Sequence, residues 1–324
     1  MFDAGFAKPQ GVIKTSPSDF IVREAHKNTV LSAVTENDIR VREGGNNQRF
    51  TLFKLTKRGI PAEAAYRALA KELEVRRDQI SDCGMKDAVA LTTQYIVVEG
   101  GYVPRCTHEK LKLEYIGPAD APLRRGQHSA NYFSILVRTE SPQSSFLPEW
   151  FQNYFGPQRF GGGNIEAGKH LLEGDIDAAV EGFQASRSGQ WLERIAEQHD
   201  SSLEAALWSP QFEHERNFKV MQWRSHLWNQ LVSKVGSERL PLWDAQSAWL
   251  YELTDLWSFN PRKVDHRLQT ALFFSERPTM AKAIDHKVEP HEEGWRHKFA
   301  LRSGSYATIF LATMYDVVDA SLKT

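Results

Sequence analysis

The 324 residues carry 41% hydrophobic and 25% charged side chains, a balance that suits a folded chain with core enough for one large or two ordinary domains and excludes a disordered one. With 40 Lys+Arg against 41 Asp+Glu the net charge is −1, which excludes the uniformly basic character of a simple nucleic-acid binder. No run approaches the roughly eighteen apolar residues of a membrane span, and MFDAGFAKPQG has neither the basic start nor the apolar stretch of a signal peptide. Two cysteines, Cys83 and Cys106, imply reduced thiols in a cytoplasmic protein rather than a disulfide framework.

In chain order, residues 19–25 (DFIVREA) and 49–56 (RFTLFKLT) alternate apolar and polar side chains as strands do. Pro61 opens a predicted helix that runs to about Arg77, with Ala64, Ala65, Ala68, Leu69 and Leu73 at helical spacing. Gly84 interrupts this pattern, and Leu91–Val98 resumes as a strand. A basic turn, Leu123–Gln127, precedes another strand at Asn131–Arg138. After Asn164 the period becomes helical, with helices predicted at 165–172, 175–185, 190–198 and 216–235. Residues 236–295 hold scattered Trp and His and no clear period, while Lys298–Val317 reads as a strand, the turn SGS and a closing helix. The expected architecture is α+β (mixed α/β). A discontinuous catalytic domain, residues 1–165 and 295–324, is interrupted by a helix-rich insertion at 166–294.

Charge follows the same division. Between Glu166 and Glu204 nine acids face three bases, a local balance of −6 that leaves +5 for the remainder. Segregation of this kind lets a nearly neutral chain present a basic face to phosphate. Some of the clusters Lys54–Lys57–Arg58, Arg76–Arg77 and Arg124–Arg125 are expected to line the approach of the phosphate backbone, with the acidic segment facing away from it.

The chemistry concentrates in Gly84–Gln94, GMKDAVALTTQ. A glycine permits a tight turn, and Lys86–Asp87 then falls in the loop before a strand. A neighbouring cation favours the ionised form of a carboxylate, and an ionised Asp can act as a nucleophile or general base. Alone, a Lys-Asp loop is better explained by a solvated turn. Four further patches give it meaning: KPQG at 8–11 with KTSPSDFIVRE at 14–24, NYFGPQRFGGGN at 153–164, RSHLWN at 224–229 and SGSYAT at 303–308.

In this order the motifs resemble the TruD family of tRNA pseudouridine synthases, whose pattern is KPQG, a DFxVxE strand, GxKD followed by TxQ, NYFGxQRFG, a helical RSxLxN and a late GSFAT-like segment. The resemblance runs through residues 8–312 and is weakest over 170–220 and 236–295. It implies a pseudouridine-synthase fold, a largely antiparallel mixed sheet flanked by helices, with an inserted lobe. It also implies a cofactor-free isomerisation of a uridine, uridine 13 in the D arm of tRNA, with no membrane and no protein partner. Asp87 takes the place of the nucleophile, and whether it attacks sugar or base stays open. Phe20, Asn153 and Tyr306 take the places of substrate contacts, and Phe155 that of the aromatic that stacks on the target base. Lys14 or Arg159 is the basic partner of Asp87, with Lys86, Glu24 and Gln94 as supporting residues. Flipping a uridine out of folded RNA costs a few kcal/mol, and base–aromatic stacking returns roughly 1–3 kcal/mol per contact.

Two departures stand out. Ala130-Asn131 replaces the family's Gly-Asn, and Tyr306 replaces the commoner Phe and brings a hydroxyl. Other features point elsewhere and less strongly. His286, His291 and His297 have no common metal-ligand spacing. The GGGN at 161–164 can cradle a phosphate but lacks the Lys-Ser/Thr of a nucleotide loop. The rival readings are an inactive RNA-binding or RNA-chaperone protein of the same fold and a metal-dependent hydrolase built on the late histidines.

Overall fold

A computed structural model describes residues 8–25, 49–100, 106–142, 147–161, 164–186 and 188–322. The chain divides into two compact units, Met1–Phe151 with Ala281–Thr324 (unit 1) and Gln152–Met280 (unit 2).

Unit 1 is built on a ten-stranded sheet. Its strands begin with β1 (Gln10–Ile13), β2 (Phe20–Ala25), β3 (Phe50–Arg58), β4 (Ile80–Asp82), β5 (Leu91–Glu99), β6 (Leu111–Ala119) and β7 (Ala130–Arg138). The chain passes into unit 2 within the short strand β8 (Trp150–Gln152), and unit 2 holds the pair β9 (Arg239–Pro241) and β10 (Glu276–Pro278). It returns within β11 (Met280–Lys282), and β12 (Ile284–His291), β13 (Gly294–Arg302) and β14 (Asp316–Asp319) complete the large sheet. The order is β12-β13-β7-β2-β5-β3-β6, with β1 and β14 paired beside β7 and β4 beside β5. Within the described part of this sheet only the β2–β5 and β1–β14 pairs are parallel. A fold of this class was expected, and the largely antiparallel sheet is what the alternation of β2, β3 and β7 supports.

The β3 sequence shows how the strand alternation works. Phe53, Leu55 and Lys57 share one face by the two-residue period, and all three are buried. Phe53 and Leu55 pack on Ala65, Tyr66 and Leu69 of α1 (Ala62–Glu72), each large apolar side chain contributing roughly 1.5–3 kcal/mol by burial. The α1 helix stops at Glu72, short of the predicted Arg77. Leu73 caps it and Glu74 takes a left-handed φ of 53°, which an α-helix cannot continue. Ala130 is an ordinary first residue of β7 and has no positive φ, so the change from glycine needs no altered loop.

Unit 2 is helical. Helices α2 (Glu166–Glu173), α3 (Ile176–Gln184), α4 (Gly189–Gln198) and α5 (Leu203–Leu207) share one core with the 22-residue α6 (Glu213–Lys234), and α2 packs directly on α6. Val220, Leu227, Trp228 and Leu231 of α6 anchor its core. A Cβ on Gly168 would run into the Lys219 carbonyl, so α2 and α6 meet at glycine distance. The stretch without period contains the short α7 (Ala248–Leu253), and its tryptophans, Trp243 and Trp257, are core. The units divide some way before the boundaries expected from composition, because Phe151 packs against Phe310 and β12 pairs with β13, so both belong to the sheet unit. No described helix is long and apolar enough to cross a membrane.

The final segment contains the expected strand, turn and helix, α8 (Ala307–Leu311), and then β14, which was not anticipated. Of the late histidines, His297 is buried and His286 is half-buried against it. His286 and His297 stack at 5.3 Å and share a 3.0 Å hydrogen bond, and His297 meets the Tyr315 hydroxyl at 3.0 Å. Burial pushes them down to about 4 and about 3, so both are neutral at pH 7. His291 is exposed.

Candidate active site

In unit 1 the loop 84–87 lies between β4 and β5 and is held by charge at nearly every residue. Gly84, at φ 150°, donates its N–H to Asp82 Oδ1 at 2.7 Å. The Lys86 ammonium donates to the Gly84 carbonyl at 3.2 Å and to Glu24 Oε1 at 2.8 Å, and Glu24 Oε2 accepts the Tyr95 N–H at 3.1 Å. The Lys57 ammonium donates to the Asp87 carbonyl and, at 3.0 Å, to that of Ile60. Lys57 is only 1% exposed. Burial pushes its ammonium down to about 8 against the opposing pull of the Asp87 carboxylate. Lys57 is therefore not among the cluster residues open to phosphate: its parity on β3 turns it inward.

Asp87 projects from this frame with its side chain 31% exposed. Lys14 Nζ lies 2.7 Å from Asp87 Oδ1 and 3.0 Å from Asp319 Oδ2. Lys14 is 4% exposed and its backbone is left-handed, φ 58°, a strained conformation of the kind retained at functional sites. Burial alone would lower its pKa; the Asp87 and then the Asp319 carboxylates outweigh that and hold it raised. Of the two candidates for the basic partner, Lys14 is thus the one bonded to Asp87. Asp319 escaped the sequence reading altogether.

Phe20 is 1% exposed, packs on Phe133, and carries the Lys14 ammonium 4.6 Å above its ring. As placed here it supports Lys14 through a cation–π contact. Gln94 is buried and donates to the Tyr66 hydroxyl at 2.6 Å, tying β5 to α1. Tyr306 is half-buried at the start of α8. The basic turn keeps its expected place: Arg124 and Arg125 are exposed, and Gly126 N–H bonds the Cys83 carbonyl at 2.8 Å, joining the turn to the residue before the Asp87 loop.

Glu24, Cys83 and His128 bring donor atoms within 4.8 Å of one another, the one such grouping among the described residues. The chemistry does not suit a metal. Lys86 already supplies the positive charge beside Glu24, and burial, with Glu24 adding to it, pushes the Cys83 thiol up to about 12, whereas a ligating thiol must lose its proton.

In unit 2 the NYFG patch is held by packing and amide bonds. Arg277, which the sequence reading missed, donates to the Asn153 carbonyl and to Asn153 Oδ1, both at 2.8 Å, and its guanidinium lies 4.2 Å from the Phe155 ring. The Asn153 amide also donates to the Pro278 carbonyl at 3.0 Å, and the residue is 3% exposed. In this structure Asn153 is engaged in shaping its own turn. Phe155 is half-buried, edge-on to Trp228 at 5.5 Å. Asn229 grips its backbone from both sides, accepting the Phe155 N–H at 2.8 Å and donating to its carbonyl at 3.0 Å. Arg159 lies 5.8 Å from the same ring and donates to Ser225 at 3.2 Å. The RSHLWN motif is thereby explained: Ser225 and Asn229 hold the NYFG turn, while Arg224 is fully buried and donates to the Trp243, Ala271 and Phe273 carbonyls. Asn164 accepts the Glu166 N–H at the start of α2. The phosphate cradle read from GGGN falls partly on Gly162 and Gly163, outside the described residues.

Unit 1 thus presents a lysine-bonded carboxylate on a GxKD loop of a mixed sheet, and its relatives identify the family. The sequence profile of tRNA pseudouridine synthase D (TruD) matches residues 4–218. The chain belongs to the TruD family, an isomerase family. A Nanoarchaeum equitans protein named "Probable tRNA pseudouridine synthase D" is 31% identical over 175 residues, 52% of this chain and 46% of that protein, so the match spans about half the relative's length. The Methanocaldococcus jannaschii "Probable tRNA pseudouridine synthase D 2" is 27% identical over 86% of this chain and 73% of its own. The crystal structure of the Methanosarcina mazei protein described as "Putative tRNA pseudouridine synthase D (TruD)" superposes with a TM-score of 0.58 at 16% identity, covering 99% of this chain and 97% of that one. That likeness establishes the shared fold.

Proposed function

We propose that the chain isomerises a uridine of tRNA to pseudouridine, by resemblance uridine 13 of the D arm, with Asp87 as the nucleophile. The observation that carries this reading is the Asp87 carboxylate, partly exposed on a braced loop with one oxygen on a buried ammonium. A carboxylate so fixed loses little freedom on attack, and orientation of this kind is a large part of a catalytic advantage. The reaction is an isomerisation whose atoms balance without a co-reactant. The N1–C1′ bond is replaced by C5–C1′, and the proton lost at C5 is matched by one gained at N1.

In this reading unit 1 is the catalytic domain and unit 2 the inserted lobe. Phe155 serves as the stacking surface that the resemblance assigns to it, and Tyr306 adds a second half-buried aromatic. Phe20 and Asn153 serve mainly as supports, for Lys14 and for the turn before Phe155. Arg124 and Arg125 contact phosphate beside the loop. The test is to incubate purified protein with tRNA transcripts that contain a D-arm uridine and to map pseudouridine base by base. A single D-arm pseudouridine is expected. Transcripts that bind without acquiring any pseudouridine would sustain the inactive RNA-binding alternative instead.

A further inference from the structure

Lys14 is shared by two carboxylates, and only one of them has a part in the proposed chemistry. Asp87 Oδ1 lies 2.7 Å from its Nζ and Asp319 Oδ2 3.0 Å. The second contact is built into the sheet. Strands β1 and β14 run parallel with Ile13 opposite Asp319, so the first residue after β1 falls beside the end of β14. Asp319 is itself fixed, with Oδ1 accepting the Ser321 N–H at 3.0 Å and the Ser321 hydroxyl at 2.5 Å, and its side chain is 8% exposed.

The charge on Asp87 does not last through the reaction. Whether an Asp87 oxygen bonds to C1′ of the ribose, releasing uracil as an anion, or to C6 of the ring, the electron pair and the negative charge pass to the uracil. They return when the C–O bond breaks and the ring has rejoined the ribose through C5. While the adduct exists, the ammonium of Lys14, 4% exposed, faces an uncharged ester. A buried cation left without its partner is strongly destabilising and tends to lose its proton. Here the proton would pass to the uracil anion, which must keep its electron pair to form the new C–C bond.

We propose that Asp319 is a positioning residue for the reaction, the standing counter-ion that keeps Lys14 charged and in place while Asp87 is covalently engaged. The inference rests on the reading of Asp87 as the nucleophile. The charged groups gathered around the site are Asp87 and Asp319 on Lys14 itself, with Lys57 and Lys86 bonded to the loop that carries Asp87. The raised pKa of Lys14, to which both carboxylates contribute against burial, agrees with this role.

Asp87→Asn reproduces the charge state of the adduct without any turnover, which gives a test independent of activity. Asp87→Asn should remain folded at pH 7 because Asp319 still balances Lys14. Adding Asp319→Asn should lower the urea midpoint by much more than the two single changes summed, and raising the pH should recover the excess as Lys14 loses its proton. A strictly additive, pH-independent loss would overturn the proposal. On tRNA transcripts, Asp319→Asn alone should lower kcat ten- to a hundredfold with KM little changed. Its alkaline limb should shift at least one pH unit downward, and Asp319→Glu should restore most of the loss. A uniform drop at every pH would mark Asp319 as merely structural. If wild-type protein makes no pseudouridine while the stability cycle is non-additive, the nucleophile reading fails and the counter-ion pairing stands.

Discussion

In unit 1 the Asp87 loop is gripped by three lysines, Lys14, Lys57 and Lys86, each bonded to a carboxylate or a carbonyl of the loop or of its support. In unit 2 the turn that carries Phe155 is gripped by neutral amides, an indole and the flat face of one guanidinium. Both arrangements immobilise a few residues, but they respond differently to perturbation. Ammonium groups buried beside carboxylates make the loop depend on protonation, because burial penalises each charge and only a partner offsets it. The Phe155 turn has bonds whose strength hardly varies with pH, since guanidinium stays charged and amides do not titrate. On the proposed function, a nucleophile at Asp87 needs a defined charge and a stacking platform at Phe155 a defined plane, and each region is built from groups suited to that need.

The largest expected effect breaks the first region at its centre. Asp87→Asn keeps the shape and removes the nucleophile, and turnover on tRNA should fall by on the order of ten-thousand-fold with affinity nearly unchanged. Activity within about tenfold of wild type would take Asp87 out of the role. The matching break in the second region is Arg277→Met, which preserves bulk and loses two hydrogen bonds to Asn153 and the stack on Phe155. Charged hydrogen bonds are worth roughly 1.5–3 kcal/mol each, so the Phe155 plane should loosen. We expect turnover to fall ten- to a hundredfold, with tRNA affinity within about threefold, since phosphate contacts supply most of the binding. Equal losses in affinity and turnover would mean that the patch contributes to tRNA binding as a whole rather than holding one base.

How far the sequence discloses these two regions depends on distance along the chain. GMKD and NYFG are contiguous, so Asp87 and Phe155 are legible as motifs, and the strands that flank Asp87 follow from alternation. Lys57 was also legible in principle, because counting by twos from Phe53 and Leu55 places it inward, yet its charge and its neighbour Arg58 made it read as a surface residue. Asp319 and Arg277 gave no local signal. Each meets its partner through sheet pairing or through folding of a segment without period, and β14 was not anticipated. Phe20 was placed correctly on its strand, but whether an aromatic faces substrate or core is decided by what covers it, and here Lys14 does.

Lys57 offers a titration that sharpens the contrast. Its pKa is about 8 in the folded chain against an ordinary 10.5. Between those values the unfolded chain binds the extra proton, so stability rises with pH across that window; below about 8 both states are protonated and the whole cost of burying the charge is present. Comparing wild type with Lys57→Met removes the contributions of other groups. From pH 8 to 10 the wild type should gain about 2 kcal/mol relative to the variant, read from urea midpoints. Parallel curves would show that the Lys57 charge is not penalised by its surroundings. In unit 2 no comparable slope is expected from Arg277→Met, whose guanidinium stays protonated throughout.

The smallest effect concerns how a chain of net charge −1 holds a polyanion. Of the basic clusters expected to meet phosphate, Lys57 is buried, Arg76 pairs with Asp78 at 3.1 Å and Arg77 with Glu63 at 3.1 Å. Arg124 and Arg125 remain on an exposed turn tied through Gly126 to the Cys83 carbonyl, one residue before the Asp87 loop. Neutralising one phosphate of single-stranded nucleic acid adds roughly 0.7 to the slope of log affinity against log salt. Removing both arginines should therefore flatten the slope by about 1.4 and weaken binding about sevenfold less steeply between 50 and 200 mM salt. Chemistry on saturating tRNA should stay close to wild type, because these side chains lie outside the ion pairs that hold Asp87. An affinity indifferent to salt in the wild type would remove phosphate contact from the account. A loss of turnover at saturation comparable to that of Asp87→Asn would move the turn from the binding surface into the catalytic step, and the division between a charge-held loop and its approach would then have to be redrawn.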